Sequence, residues 1–552
     1  MCAHTGRSRS CRSRRVAWTS EDGRTFAYDG VQDRFSTITN GDQTISYGYD
    51  GLLPKSIAAT AGTYDYTLGD RLLPATEKLT VGGESVSRAL EFDGDRLVKK
   101  SGPFSFTRSG PAGAVSEISD GKLSLKYEYD TNGRPATRTL KVGGTERFFQ
   151  KLTFNDAGVP DKREERVDGA ADTLTYGFDG SGQLMTVKRG AAVVENHSYD
   201  PAGNRQDDGA VYDDQDRLTS RAGVAYTWDA DGFLKTRGAD TFTYSRSGEL
   251  LSAMGVTYKY DAMGRRTARG GESYLYGNPA NPFQVTASVS GGVTTSYYYD
   301  ADDRLFAFER GGDRYYVGAD AMGSPRVVVR ASDGAVVRKV SYDSFGVETV
   351  SVSTVDLPIG FSGGLRDAVT GLVRFGLRDY DPASGRFIAR DPSFFSGSPE
   401  NLYGYVGNNP VTQKDPTGLV CIGWSMYATV GGGFQFCRDN KLDWTADWSA
   451  CGEVGLGLGG GVDIDIVSDA QSNSRSVFAE VTGKALWVGG TIGAELDLNC
   501  MQAKAGAKVM VGPVTLGADT TGSKSFGGGQ NDLPMPGARL EGKVGVKVCK
   551  KW

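Results

Sequence analysis

Two histidines, His4 and His197, are all that the chain has, and neither has a ligand cluster or a triad partner close by in sequence. A Ser-His-Asp hydrolase, a histidine-metal nuclease and a zincin are therefore excluded, above all beyond residue 197. His197, in "ENHSYD", reads as a strand residue beside a turn. Five of the seven cysteines, Cys421, Cys437, Cys451, Cys500 and Cys549, cluster near the C-terminus without a C-x-x-C pair that would argue for zinc. In an exported module such clustering suggests disulfides with one cysteine left over; a reduced domain with buried thiols is the other reading, and the pairing is not legible. Acids such as Asp463, Asp465, Glu480 and Glu495 alternate along apparent strands and so face solvent. No metal site and no cofactor site emerges. The stretch with the most pronounced punctuation is "NNPVTQKDPTGLVC", Asn408 to Cys421, where an Asp-Pro step and a glycine separate two kinds of sequence.

The elements on either side are strands. At 552 residues and a net charge of −5, the chain is long enough for several domains or one repeat array, and it lacks the basic excess that nucleic-acid binding uses. Glycine, at 77 residues, is abundant and tyrosine is the commonest aromatic, which suggests tight turns between strands. No run approaches the roughly 18 apolar residues of a membrane-spanning helix. The start, "MCAHTGRSRSCRSRRVAW", is basic and has no apolar stretch of the kind a signal peptide carries; residues 1–17 read as a disordered arm. From about Tyr47 to Phe345 one phrase returns: an aromatic pair, Asp or a substitute, two residues, Gly or Asp, then a polar and an apolar residue. Examples are "YEYDTNGRP", "YTWDADGFL", "FTYSRSGEL" and "YKYDAMGRR", and Asp213, Asp229, Ser245 and Asp261 stand 16 apart each time. That period means stacked hairpins. In "YKYD" the alternation sends Tyr258 and Tyr260 to one face and Lys259 to the other, the Asp accepts backbone N–H groups beyond it, and Gly264 takes the positive φ that closes the turn.

Nine or more such phrases in register resemble the YD-repeat, or Rhs, family from roughly Trp18 to Leu419. "YYVGADAMGSPRVV", "FGLRDYDPASGRFIARDP" and "NLYGYVGNNPVTQKDPTGL" resemble the Rhs-associated core and the segment before it. The resemblance implies an all-β chain: a YD-repeat hairpin array curled into a spiral sheet or partial hollow shell (18–314), the core plug (315–419), and a variable C-terminal region (420–552). An open curled sheet without an enclosed volume is the alternative shape. The family's core acts as an intramolecular aspartyl protease. Carried over, Asp391 and Asp415 fall on the two acids, Arg378 on the supporting arginine, and Leu419–Val420 on the scissile bond. Pro392, Pro416, Gly418, Tyr403, Tyr405, Asn408, Asn409 and Pro410 fall on structural positions of the plug. The chemistry is self-consistent: two adjacent carboxylates hold a proton between them, so one serves as base on a water and the other as acid, without histidine. Each Asp precedes a proline, which stiffens its loop. One departure is that "DPSFFSGSPE" lacks the glycine usual at the fourth position of the first acid's motif. A working site and a purely structural plug are both open, and Asp381 is a third acid nearby that reads as a turn residue.

Residues 420–552 alternate with period 2 in "GEVGLGLGGGVDIDIVSD" and "ARLEGKVGVKVCKKW", which predicts a Gly-rich antiparallel β domain. A soluble β-domain and a membrane-active, pore-forming one are both compatible; no phosphate loop, nucleophile elbow or metal cluster points to an enzyme. The family implies a secreted or cell-surface delivery protein, exported without a recognisable signal peptide. Its partners would be its own C-terminal domain as cargo, an immunity protein, a secretion apparatus and a target-cell membrane. The alternative is a structural or adhesive surface protein.

Overall fold

The computed structural model describes residues 23–29, 34–51, 53–69, 72–392 and 401–419, together with the backbone of Trp18–Thr19 and of the strands between Ile422 and Lys550. The expectations placed on residues 1–17, Val420, Cys421 and Cys500, and on the side chains of Cys437, Cys451 and Cys549, lie outside the described residues. The chain divides into two compact units, residues 1–156 with 160–422, and residues 157–159 with 423–552.

The first unit is built from the hairpin turn. Asp261 Oδ1 accepts the backbone N–H of Met263 at 2.9 Å and of Arg265 at 3.1 Å, while its Oδ2 takes Arg265 Nε at 2.7 Å. Gly264 closes the turn at φ +77°. The same arrangement recurs at Asp130 with Arg134 and at Asp213 with Arg217. Where serine replaces the acid, Ser245 Oγ accepts the N–H of Glu249 at 3.2 Å. The aromatic pair does two jobs. Tyr258 and Tyr260 are buried and Lys259 is exposed, as alternation requires. The second ring also carries a polar tip back to the preceding hairpin: Tyr260 donates to Leu250 O at 2.9 Å, Tyr276 to Arg266 O at 2.7 Å, and Trp228 Nε1 to Leu218 O at 2.7 Å. Each repeat is thus bonded to its neighbour by a side chain as well as by the ladder.

Antiparallel pairing of sequence neighbours produces two large meanders, one of 18 strands from Trp18–Thr19 to Ala192–Asn196 and one of 16 from Val211–Tyr212 to Glu348–Ser353. They pack face to face in matching order. Arg24 pairs with Glu249 at 2.7 Å, Tyr64 OH meets Thr286 Oγ1 at 2.7 Å, Tyr127 OH donates to Asp300 at 2.8 Å, and Gln150 Oε1 accepts from Ala321 N at 2.8 Å. The second meander therefore lies along the first in sequence order, as a separate sheet. Between them lies a core in which Phe104, Leu125, Leu140 and Phe148 meet Tyr298, Phe306 and Tyr316. A third, four-stranded sheet follows: Leu365–Arg366, Val373–Phe375, Arg378–Asp381 and Arg386–Phe387. It is joined to the second meander by a fully buried triad in which Asp379 takes Arg266 at 2.7 Å and Arg374 at 2.8 Å. In the second unit, Gly431–Arg438 and Gly545–Lys550 each pair antiparallel with Trp448–Leu456, Ile464–Ser468 pairs with Val477–Val481, and Thr491–Leu496 pairs with Ala503–Lys508.

His197 ties the ends of the two meanders. It is not a plain strand residue: it follows Ala192–Asn196, buried, with Nδ1 at 2.5 Å from Asp207 and Nε2 at 3.3 Å from Glu195. Glu195 also accepts from the N–H of Ser344, and the imidazole stands edge-on to Phe345. Burial works to lower the pKa of His197, but the hydrogen bonds accepted by Asp207 and Glu195 outweigh it and the value is raised. A raised value in the folded state means stability that is complete below about pH 6.5, the ordinary value in the unfolded chain, and is lost as the pH rises through the folded value. The denaturation midpoint is expected to fall across that window in the wild type and to stay flatter in His197→Gln; parallel profiles would remove the clamp.

Candidate active site in the core segment

Arg378 opens the strand Arg378–Asp381 immediately after a tight turn at Gly376 and Leu377, where Phe375 pairs with Arg378. Its guanidinium is buried, 3.7 Å over the ring of Phe387. Nη2 lies 2.8 Å from Asp391 Oδ2 and 3.5 Å from Asp415 Oδ2, so both acids reach one nitrogen. Nη1 donates to Leu402 O at 3.1 Å and Nε to Gly418 O. Both acids are 1% exposed. The structure thus brings together Asp391, Asp415 and Arg378, which are separated by 13 to 37 positions.

Main-chain bonds fix each acid. Asp391 N donates to Leu402 O at 2.9 Å, placing the first Asp-Pro step beside the segment that begins "NLYGY". Asp415 Oδ1 accepts the N–H of Leu419 at 3.0 Å and the hydroxyl of Thr417 at 3.3 Å. Leu419 is therefore bonded directly to one of the acids. The turn from Asp415 to Gly418 lies against the Gly376 hairpin, with Leu377 N donating to Thr417 O at 2.9 Å. This approach requires glycine on both sides. A Cβ on Gly376 would come within 2.2 Å of Thr417 O, and one on Gly418, at φ +69°, within 2.5 Å of Phe375 O.

The other plug residues hold the core against the repeats. Asn409 Nδ2 donates to Gly182 O at 2.9 Å, Asn408 Nδ2 to Gly203 O at 2.6 Å, and Tyr403 OH to Gly232 O at 3.0 Å. Those carbonyls belong to the turn glycines of three repeat phrases. Tyr405 sits in an aromatic cluster with Phe361, Phe375, Tyr380 and Phe387. Pro410 is buried, while Pro392 and Pro416 are half-buried beside their acids. Asp381 is not at Arg378: it accepts from Ala383 N and Ser384 Oγ and lies 3.6 Å from Arg237, as a turn residue does. Lys414, next to Asp415, is held below the usual lysine range by burial and then by the Arg304 guanidinium.

With this geometry the comparisons are decisive for the family. The family model described as Teneurin YD-shell matches residues 78–411, more than half of the chain. The chain belongs to the YD-shell family. It is a YD-repeat shell protein of the Rhs type. Teneurin-3 of Danio rerio is 31% identical over 327 residues, covering 54% of this chain and 12% of that protein. Teneurin-4 of Homo sapiens is 31% identical over 329 residues, with the same coverage of each. The tRNA3(Ser)-specific nuclease WapA of Bacillus spizizenii is 28% identical over 317 residues, covering 53% of this chain and 13% of that protein. The chain thus spans about an eighth of the length of the curated relatives it matches. Among solved structures, TcdB2-TccC3-Cdc42 aligns over 73% of this chain and 23% of that one, at 16% identity and a TM-score of 0.48.

Sequence reasoning did not find Phe387, the Leu402 carbonyl or the need for glycine at 376. Only the last left a signal, the "FGLRD" turn. Gly376→Ala and Gly418→Ala are expected to cost about 2 kcal/mol or more in urea unfolding and to speed hydrogen exchange at residues 415–419. Gly371→Ala is the control: φ is +74° but nothing lies within 4 Å of its Cβ, so about 1 kcal/mol is expected. Equal losses at all three positions would mean that the close approach is unimportant.

Proposed function

We propose that this YD-shell protein cuts its own chain between Leu419 and Val420 and thereby detaches residues 420–552, which act as a toxin delivered to other cells. The observation that carries the reading is the meeting of Asp391 and Asp415 on Arg378 with Leu419 N–H bonded to Asp415. Asp391 takes a proton from a water as its oxygen attacks the Leu419 carbonyl carbon. Asp415, the acid bonded to Leu419, protonates the carbonyl oxygen. As the tetrahedral species collapses, Asp391 passes its proton to the nitrogen and Asp415 takes one back from a hydroxyl, so the C–N bond breaks to leave a carboxyl group on Leu419 and an amine on Val420, with both acids restored. Arg378 keeps the two acids in register and supplies positive charge beside developing negative charge. A tethered substrate raises the effective concentration enough for a single turnover by a slow site.

The resemblance to WapA, named as a tRNA nuclease, supports a toxin role for a protein with this repeat. The Gly-rich alternating pattern after residue 420 favours a cargo that acts on membranes or by binding over a hydrolase. In this reading the protein is secreted through an export apparatus, its first partner is its own C-terminal region, and the producing cell protects itself with an immunity protein.

Intact mass of freshly purified protein under denaturing conditions tests the cleavage. Fragments ending at Leu419 and beginning at Val420 are expected in the wild type and absent in Asp391→Asn and Asp415→Asn. An uncut wild-type chain, or cuts retained in both variants, overturns the mechanism and leaves the acids as a latch. Residues 420–552 expressed alone are expected to halt growth when sent to the periplasm, with leakage of dye from lipid vesicles. Harmless expression in both cytoplasm and periplasm would favour a structural surface protein.

A further inference from the structure

Leu402 O joins two parts of the cleavage site: it accepts from Arg378 Nη1 at 3.1 Å and from Asp391 N at 2.9 Å. The residue before it, Asn401, is fixed through its side chain. Asn401 Nδ2 donates to Asn204 Oδ1 at 2.7 Å and to Ala202 O at 3.2 Å. Its Oδ1 accepts from Tyr403 N at 3.0 Å and from Arg386 Nη2 at 3.4 Å. Arg386 Nη1 reaches Asn204 Oδ1 as well, at 3.2 Å. Arg386, Asn204 and Asn401 are all buried. Arg386 also precedes Phe387, the ring under the Arg378 guanidinium.

Asn204 belongs to a repeat hairpin, not to the core segment, and its amide is oriented from both edges. Its Oδ1 faces two donors, while its Nδ2 donates to Asp200 Oδ2 at 3.1 Å and to Asp216 Oδ1 at 2.7 Å. Asp216 lies in the next repeat, at the turn position that Gly264 fills in "YKYDAMGRR", and takes φ +58° there. Glycine would avoid that backbone strain. What the aspartate adds is two acceptors, a carboxylate for Asn204 and a backbone oxygen for Arg386 Nη2. Arg386 is a poor stabiliser in itself. Among the described residues no carboxylate forms an ion pair with it, and burial lowers its pKa despite the ring of Tyr212 and the more distant charge of Asp216. Burying a cation in that way costs stability. Its contribution is direction, since a planar fork meets Asn204, Asp216 and Asn401 at fixed angles.

We propose that Asn204 and Arg386 are positioning residues for the cleavage: through Asn401 they set the Leu402 carbonyl, and with it Arg378 and Asp391. This rests on the cleavage reading above and adds a condition to it. The hairpins that carry Asp200 and Asp216 must be folded against the core segment before the acids are in register, so the chain is cut only after those repeats have docked.

Cell-free synthesis of the full chain, with the cut fraction followed over time by gel and intact mass, tests it. Arg386→Met and Asn204→Ala are each expected to be cut about tenfold more slowly than the wild type, or slower still. Arg386→Lys keeps the charge and a donor without the fork, and is expected to recover part of the rate. Asn409→Ala removes a bond between plug and repeat that does not lead to Leu402, and is expected to be cut at the wild-type rate. The same four substitutions in an uncut Asp415→Asn chain separate position from stability. There the amide of Asp391 is expected to exchange faster in Arg386→Met and Asn204→Ala and to stay protected in Asn409→Ala, whatever their order in urea unfolding. Cleavage rates that simply follow stability, with Asn409→Ala slowed in proportion, overturn the proposal. So does cutting of Arg386→Met and Asn204→Ala at the wild-type rate, which leaves the cleavage reading intact. A wild type that stays uncut overturns both.

Discussion

Each hairpin of the repeat presents aromatic rings on one face and lysine, threonine or glutamate on the other, and a single hairpin has no means of covering its own aromatic face. The meander extends the ladder but not the cover, because every added hairpin brings a further exposed ring. Cover comes from the second meander. Phe104, Phe148 and Leu140 are buried only because Tyr298, Phe306 and Tyr316 are laid over them from about 150 to 200 residues away. Winding is therefore a consequence of the repeat's amphipathicity, and the long-range contacts follow from it.

An apolar face alone does not say which repeat should lie over which, since all repeats offer similar rings. The polar groups set at the seam do. Arg24 with Glu249, Arg138 with Asp300 and the Arg266–Asp379–Arg374 triad are buried, and each is satisfied only in one register. Buried ion pairs contribute little net stability compared with apolar replacements, yet removing one partner costs about 3–5 kcal/mol because the other is stranded. A slip of one repeat would strand several at once. The arrangement thus penalises misregister far more than it rewards register, which is the requirement for a sheet whose repeats are nearly interchangeable.

The local half of this was legible in the sequence. The 16-residue spacing from Asp213 to Asp261 announces the hairpin, the Asp and Gly of "YKYDAMGRR" announce its turn, and alternation assigns Tyr258 and Tyr260 to the buried face. The substitution at Ser245 leaves the turn intact because a hydroxyl accepts the same N–H. What stayed hidden depends on partners far away in sequence. Nothing near Asn408 and Asn409 indicates that their amides reach the carbonyls of Gly203 and Gly182, and nothing near Phe387 marks it as the surface under Arg378. The acids Asp391 and Asp415 were suggested by family resemblance; no pattern of spacing says that 24 intervening residues return to the same guanidinium.

Arg378 shows why the core segment and the candidate site are not separable. Its guanidinium serves four acceptors from three loops, the carboxylates of Asp391 and Asp415 and the carbonyls of Leu402 and Gly418, with Phe387 closing its flat face. A planar fork with five donors can meet acceptors at several fixed angles, whereas an ammonium on a flexible stem cannot hold the same set in place. The loops at 391, 402 and 415–418 therefore converge because one cation must be satisfied away from water. Any chemistry the two acids perform uses an arrangement that the fold needs for its own closure, so loss of the arginine would loosen the segment and disperse the acids in the same step.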